Sequence, residues 1–377
     1  MSAKEAAPKK KGLITVRGRS IDLGGILLEG RAFIALIVLI VMFAMLSDTF
    51  LSYSNVLTMS KHVAINAFLA IGMLFVIIKG GIDLSVGSTL GLTGIIAGVL
   101  LQGMQITSLN VIVYPKVWVV IMIALAVGTL VGYINGLLIT RFQVAPFIAT
   151  LGMLYVARGA ALLISNGKTQ PRLQGSPELG NEGFDVLGVS RPLGVPMQIW
   201  LMVVLAAVAA FILAKTPFGR SLYAVGGNET AAELAGVPVN KVKVRAYMIS
   251  GFCAGIAGLV TASQLTSAIP GSGETFELNA IAACVIGGAS LMGGRGTIRG
   301  VLLGAFVIGF LNDGLVNVGV SSFWQTAIKG VVIIVAVIID QAQQRIKSTK
   351  NAAIAAASGS SVSNKTEISD QAARKGG

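Results

Sequence analysis

The chain has 377 residues, 54% of them hydrophobic and only 12% charged, with a mean hydropathy of +0.81. So much apolar surface does not fit inside one soluble core, which excludes an ordinary water-soluble domain and makes the lipid bilayer the missing solvent. The net charge of +13 lies in short segments between apolar runs, not on one surface with interleaved aromatics, so it reads as topogenic charge and excludes nucleic acid as a partner.

Residues 1–31 form a basic segment with no small-residue cleavage site after the first apolar run, so that run is expected to stay as an anchor. Apolar runs follow near 32–46, 63–78, 86–101, 117–139, 147–164, 199–214, 246–263, 280–291, 300–316 and 323–339. They are continuous, not alternating, and most approach the roughly 20 residues that cross about 30 Å of hydrocarbon, which suits helices and not a barrel. The run at 280 is short enough to be a half-helix. The predicted fold is all-α: a polytopic transmembrane bundle of about ten spans over 32–344, followed by an Ala-, Ser- and Lys-rich tail, 345–377, expected to be disordered. Ten spans put both termini on one side. That side holds Lys9, Lys79, Arg141, Lys215, Arg220, Lys241, Arg299 and Arg345 among others, against Lys61, Lys116, Lys168, Arg172 and Arg191 opposite, so both termini are expected in the cytoplasm.

Two connections are long. The outer one, 165–197, is rich in Gly, Pro and polar residues and suits either a partner surface or a solvated connector. The inner one, 215–245, contains Asn228-Glu229-Thr230-Ala231-Ala232-Glu233-Leu234-Ala235-Gly236, a short amphipathic helix with Asn228 as cap and Gly236 as stop. Between the second and third spans, Gly80-Gly81-Ile82-Asp83-Leu84-Ser85 breaks the apolar pattern. Its glycines free the backbone, and Asp83 or Ser85 is able to cap the helix beginning near Val86. Irregular backbone at this depth is tolerated where protein buries it or where it lines a cavity, which suggests an inner gate or a subunit contact. A weak echo relates Gly80-Gly81 to Gly287-Gly288 and Gly293-Gly294, as a parallel repeat would.

Catalytic and cofactor signals are weak. Gly167-Lys168-Thr169 has Leu162 where a phosphate loop needs its first glycine, so no nucleotide site is read. His62 is the only histidine and reads as an interfacial polar residue, and Cys253 and Cys284 indicate neither a disulfide frame nor a metal site. No cofactor, metal or enzymatic activity is expected. Small residues recur in Gly128, Gly132 and Gly136, in Gly251 and Gly255, and in Gly300 and Gly304, which implies close helix packing and a paired subunit. The ionisable residues within spans are Arg158, Asp313 and Lys329, near outer helix ends where they can snorkel. Facing inward instead, they would ring a cavity mouth with Asn312, Gln325 and Thr326 and offer hydrogen bonds to a hydroxylated solute. No span clearly carries a carboxylate at mid-depth, which argues against an ion-coupled secondary transporter.

Gly80-Gly81-Ile82-Asp83-Leu84-Ser85-Val86-Gly87-Ser88 resembles the signature of the permease subunits of ribose-type ABC sugar importers. So do Pro146 to Leu151, Arg158-Gly159, Gly226-Gly227-Asn228-Glu229 with Ala231, Ala232 and Gly236, Glu277-Leu278 before Ala280 to Ala283, Gly309 to Asn312, and Gly319 to Ser322 with Gln325 and Lys329. The resemblance covers nearly all of 32–344, with Asn279 standing where relatives often carry Asp. It implies a bacterial inner-membrane complex of two permeases, here a homodimer in lipid, with two ABC ATPase subunits and a periplasmic sugar-binding protein. Asn228, Glu229, Ala231, Ala232 and Gly236 would form the coupling helix toward the ATPase. Asp83, Ser85, Asn135, Thr150, Arg158, Asn312, Asp313, Gln325 and Lys329 would line or gate the path of a monosaccharide or sugar alcohol. The readings set against it are a secondary transporter of a small polar solute and a non-transporting membrane scaffold or enzyme.

Overall fold

A computed structural model describes residues 13–16, 19–22, 31–106, 111–338 and 341. The predicted tail, 345–377, and most of 1–31 lie outside the described residues. The chain divides into two units, 1–325 and 326–377.

The helices are α1 (Arg31–Leu46), α2 (Tyr53–Ile78), α3 (Val86–Gln102), α4 (Val117–Thr140), α5 (Pro146–Ser165), α6 (Met197–Lys215), α7 (Pro217–Gly227), α8 (Glu229–Leu234), α9 (Val239–Gln264), α10 (Phe276–Ile286) and α11 (Ile298–Asn317). A last apolar helix, α12, covers Ser322–Ile338. Six of these, α2, α4, α5, α6, α9 and α11, are long and apolar enough to cross a bilayer, and α1, α3, α10 and α12 are shorter apolar helices. Helices are the form such segments take because every backbone N–H and C=O is satisfied within the segment. The molecule is therefore a helical, multi-pass membrane protein.

Three small antiparallel pairs accompany the helices: β1 (Leu13–Val16) with β2 (Arg19–Asp22), β3 (Met104–Ile106) with β4 (Val111–Val113), and β5 (Gln170–Pro171) with β6 (Ser267–Ala268). They were not foreseen, since runs of two to four residues carry no readable alternation.

Helix ends differ from expectation for identifiable reasons. Helix α2 starts at Tyr53, not 63, since backbone hydrogen bonding begins with the Val56 N–H on the Ser52 carbonyl and continues through polar turns in which Asn55, Thr58 and Ser60 bond back to the Phe50, Ser54 and Val56 carbonyls. Helix α9 starts at Val239 because Lys241 and Lys243 continue the helix beyond its apolar part. Helix α10 stops at Ile286, where Gly287 and left-handed Gly288 (φ 87°) end the repeat.

Helix α2 is the centre of the bundle, with every residue from Val63 to Lys79 buried. Helices α9 and α11 pack on it, and α9 lies against α4 along its length. The predicted small-residue stripes meet inside this one chain. A Cβ on Gly128 would lie 2.5 Å from the Gly251 carbonyl oxygen, one on Gly132 would strike the Tyr247 carbonyl, and one on Gly251 would strike Gly128. Likewise Gly300 and Gly304 of α11 abut Gly287 and Ala283 at α10. Helices without side chains between them approach to backbone contact, the main source of association in lipid. Outward faces of α5 and α6 are correspondingly apolar, with Phe147, Ile148, Tyr155, Val203, Val208 and Phe211 exposed.

The 165–197 connection is tied down, not a loose connector. Asn181 donates to the Leu101 carbonyl (2.8 Å), Gln198 to the Gly188 carbonyl (2.5 Å), and Ser263 of α9 to the Phe184 carbonyl (2.7 Å), with Phe184 fully buried.

Candidate functional site

The Gly80–Ser85 break is a buried polar knot between α2, α3, α4 and α9. Gly80 takes φ +82°, a left-handed turn that side chains resist, and Gly81 is needed for a different reason. A Cβ there would strike Lys79 Nζ and come 2.9 Å from the Tyr247 hydroxyl. The missing methyl leaves room for the Lys79 ammonium, which donates to Tyr247 Oη (3.2 Å) and stands 4.2 Å from that ring's centre. Burial pushes Lys79 down to about 7, with Lys243 adding to the shift and Asp83 and Glu229 opposing it.

Asp83 is buried with both oxygens engaged. Oδ1 accepts from the Ser85 hydroxyl (2.7 Å) and the Ser85 N–H (3.0 Å), and Oδ2 accepts from the Ser250 hydroxyl of α9 (2.8 Å). Burial pushes the Asp83 carboxyl above the usual carboxylate range, while the Ser85 and Ser250 hydrogen bonds and the Lys79 charge act against that. Ser85 in turn accepts from Asn135 Nδ2 of α4 at 2.9 Å. The expected cap is absent in this form: Ser85 is the N-cap residue of α3 but its hydroxyl makes no cap bond, because Asp83 and Asn135 hold it. Thr150 of α5 donates to its own helix at Pro146 (2.9 Å) and only distantly to the Ile82 carbonyl (3.4 Å).

The loop after α6 docks on this break. The side chain of Asn228 caps α8 by accepting from the Ala231 N–H (3.0 Å), and Gly236 follows the helix with φ +81°. Three glycine pairs converge beside it. The Gly294 N–H donates to the Ile78 carbonyl at 2.7 Å, a Cβ on Gly226 would strike that same carbonyl, and one on Gly293 would lie 3.1 Å from Gly80 N. The sequence echo between the first and last of these pairs thus corresponds to contact.

Elsewhere, the half-buried Arg158 of α5 donates from Nη1 to the Pro270 and Ser272 carbonyls of the α9–α10 connection, and Gly91 of α3 gives it space. Asp313 of α11 pairs with His62 of α2, Nδ1 to Oδ1, at 2.8 Å. Asn312 Oδ1 is buried beside it without a protein partner among the described residues. Gln325 donates to the Val320 carbonyl (2.7 Å), and Lys329 belongs to the second unit. Sequence reasoning missed Tyr247 and Ser250. Their only sequence signal is two polar residues three apart on an apolar helix, both facing the break.

Residues 52–337 match the family described as "Branched-chain amino acid transport system / permease component". The chain is 43% identical over 321 residues to the ribose import permease protein RbsC of Haemophilus influenzae, covering 85% of this chain and 95% of that one. It is 42% identical to RbsC of Bacillus subtilis (86% and 96% covered) and 36% identical to the L-arabinose ABC transporter permease protein AraH of Azospirillum brasilense (81% and 86%). No solved structure matches the chain. With its helical bundle intact across the matched region, the chain belongs to this family of permease components, in the ribose-type group of ABC importers, and is not itself an enzyme.

Proposed function

We propose that the chain is the membrane path of an importer for a monosaccharide or sugar alcohol. A periplasmic binding protein delivers the solute and ABC ATPase subunits on the cytoplasmic side drive its passage. The observation that carries the solute class is the match to ribose import permeases over nearly their whole length, 95% of the Haemophilus influenzae protein. The family description names amino acids instead, so the solute follows the near relatives and not the family as a whole. An ion-coupled transporter is not favoured, because two of the relatives are named as ABC transporter permease proteins.

In this reading the chain forms about ten spans of a bacterial inner membrane in 32–344, with the 11-residue α10 as a half-helix, both termini are cytoplasmic, and two copies of the chain form the path. Segments 1–31 and 345–377 lie in the cytoplasm. Helix α8, with Asn228, Glu229, Ala231, Ala232 and Gly236, is the coupling helix. Its support is the capped, largely exposed turn that the Glu229–Lys243 pair ties to α9. Asp83, Ser85, Asn135 and Thr150 belong to the gate, and Arg158, Asn312, Asp313, Gln325 and Lys329 to the polar mouth.

The test is uptake of radiolabelled ribose into proteoliposomes holding this chain, its cognate ATPase and its binding protein. Uptake that requires ATP and the binding protein is the expected result. Uptake driven by a proton or sodium gradient without ATP would overturn the reading.

A further inference from the structure

Lys243, Tyr247 and Ser250 occupy positions i, i+4 and i+7 of α9, one side of a helix, and each holds a different part of the cytoplasmic end. Lys243 Nζ donates to Glu229 Oε1 of α8 at 2.6 Å. One turn on, Tyr247 Oη accepts from Lys79 at the end of α2 at 3.2 Å. A further turn in, Ser250 Oγ donates to Asp83 Oδ2 within the break at 2.8 Å. Over roughly 10 Å of helix, at 1.5 Å per residue, the contacts pass from the half-exposed surface to full burial: the Glu229 side chain is 51% exposed and that of Lys243 18%, while Tyr247, Ser250 and Asp83 are buried. The adjacent side of the same helix rides on the α4 glycines, backbone against backbone, so α9 and its polar stripe form one stiff piece.

We infer that this stripe transmits the movement of α8 to the Gly80–Ser85 break, with Tyr247 and Ser250 as positioning residues that touch neither solute nor ATP. The inference rests on reading α8 as the coupling helix. Three properties make the stripe suited to the role. The Glu229–Lys243 pair fixes α8 to α9 and not merely to its own loop. The next two contacts fall just before the break, at Lys79, and within it, at Asp83, so a small rotation of α9 bears on both together. The buried pair Ser250–Asp83 is costly to leave unmade, so the break follows the helix instead of detaching from it.

The measurement is ribose taken up per ATP hydrolysed by the reconstituted complex with ATPase and binding protein. Ser250→Ala and Tyr247→Phe are each expected to lower that ratio about fivefold or more, the lower end of ordinary coupling between sites, while hydrolysis continues. Glu229→Lys and Lys243→Glu should each lower it, and the double charge exchange should recover it. This pair is partly exposed, so it tests the stripe even where a buried substitution prevents folding. A ratio unchanged in all variants, with uptake and hydrolysis falling together, would overturn the inference and leave the stripe a structural contact. Gly236→Asp, run alongside, separates the two readings. If it uncouples and the stripe variants do not, only the stripe fails; if it does not uncouple either, α8 is not the coupling helix and both fail.

Discussion

His62 Nδ1 of α2 and Asp313 Oδ1 of α11 meet at 2.8 Å, joining two helices 251 positions apart. A histidine that composition reads as merely interfacial is therefore half of an interhelical tie. Replacing Asp313 by Ala leaves His62 without that acceptor and is expected to lower stability by about 1–2 kcal/mol, with a similar loss for His62→Ala. The double variant should lose less than the sum of the two, as thermal unfolding in detergent would reveal. Ribose uptake by Asp313→Ala and Lys329→Ala reports separately on the polar mouth: normal uptake in both would remove these residues from the path.

Close packing of α4 on α9 makes a second expectation sharp. A Cβ at Gly132 meets the Tyr247 backbone, its carbonyl carbon at 2.8 Å, whereas one at Gly152 of α5 meets nothing within 4 Å. Gly132→Ala should destabilise by about 1–3 kcal/mol, as overpacking does. Gly152→Ala should be neutral or stabilising by up to about 1 kcal/mol, since alanine is the better helix former. Equal unfolding temperatures for the two would contradict the backbone contact.

Lys79 gives the protein a pH signature. Its folded-state value is about 7 against the ordinary 10.5, so between these values the unfolded chain carries a proton that the folded chain has released. Unfolding then takes up a proton, and the contribution of Lys79 to stability rises with pH through this window, by at most about 1.4 kcal/mol per unit. Lys79→Met removes that rise. Unfolding midpoints at pH 7 and 9 should show a smaller gain at the higher pH for the variant than for the native chain, the difference being the Lys79 contribution.

The Asn228 cap offers a local test of α8. Asn228→Ala deletes the acceptor for the Ala231 N–H and is expected to weaken the short helix by about 1 kcal/mol, lowering affinity for the ATPase about fivefold. Asn228→Asp, which keeps an acceptor oxygen, should retain it. Co-purification titrations with the ATPase would measure both.

The bundle was largely legible in the sequence because apolar length and glycine spacing act locally. Which helix would answer the stripe at Gly128, Gly132 and Gly136 was not readable, but small-residue spacing implied close helix packing, and Gly128 meets Gly251 and Gly255 while Gly132 and Gly136 meet Tyr247 and Val244 of the same helix. The capped turn at Asn228 to Gly236 was legible for the same reason, since cap and stop lie within one short segment. The knot around Asp83 was only half readable. The break announced itself, but which side chains answer Asp83 and Lys79 depends on α9, more than 160 positions away, where Tyr247 and Ser250 look like incidental polar residues. The early start of α2 was missed because hydropathy ends at its polar first turns, while hydrogen bonding does not.

The convergence of Gly80, Gly226 and Gly293–Gly294 sets an order for biogenesis. The hydrogen bond from Gly294 to the Ile78 carbonyl can close only after the ribosome has delivered everything through α10 to the membrane. Until then the end of α2 lacks that donor, although α7 already has α2 and α9 to pack against. A chain that stops before residue 293 therefore retains most of its helices yet lacks the N–H that satisfies the Ile78 carbonyl.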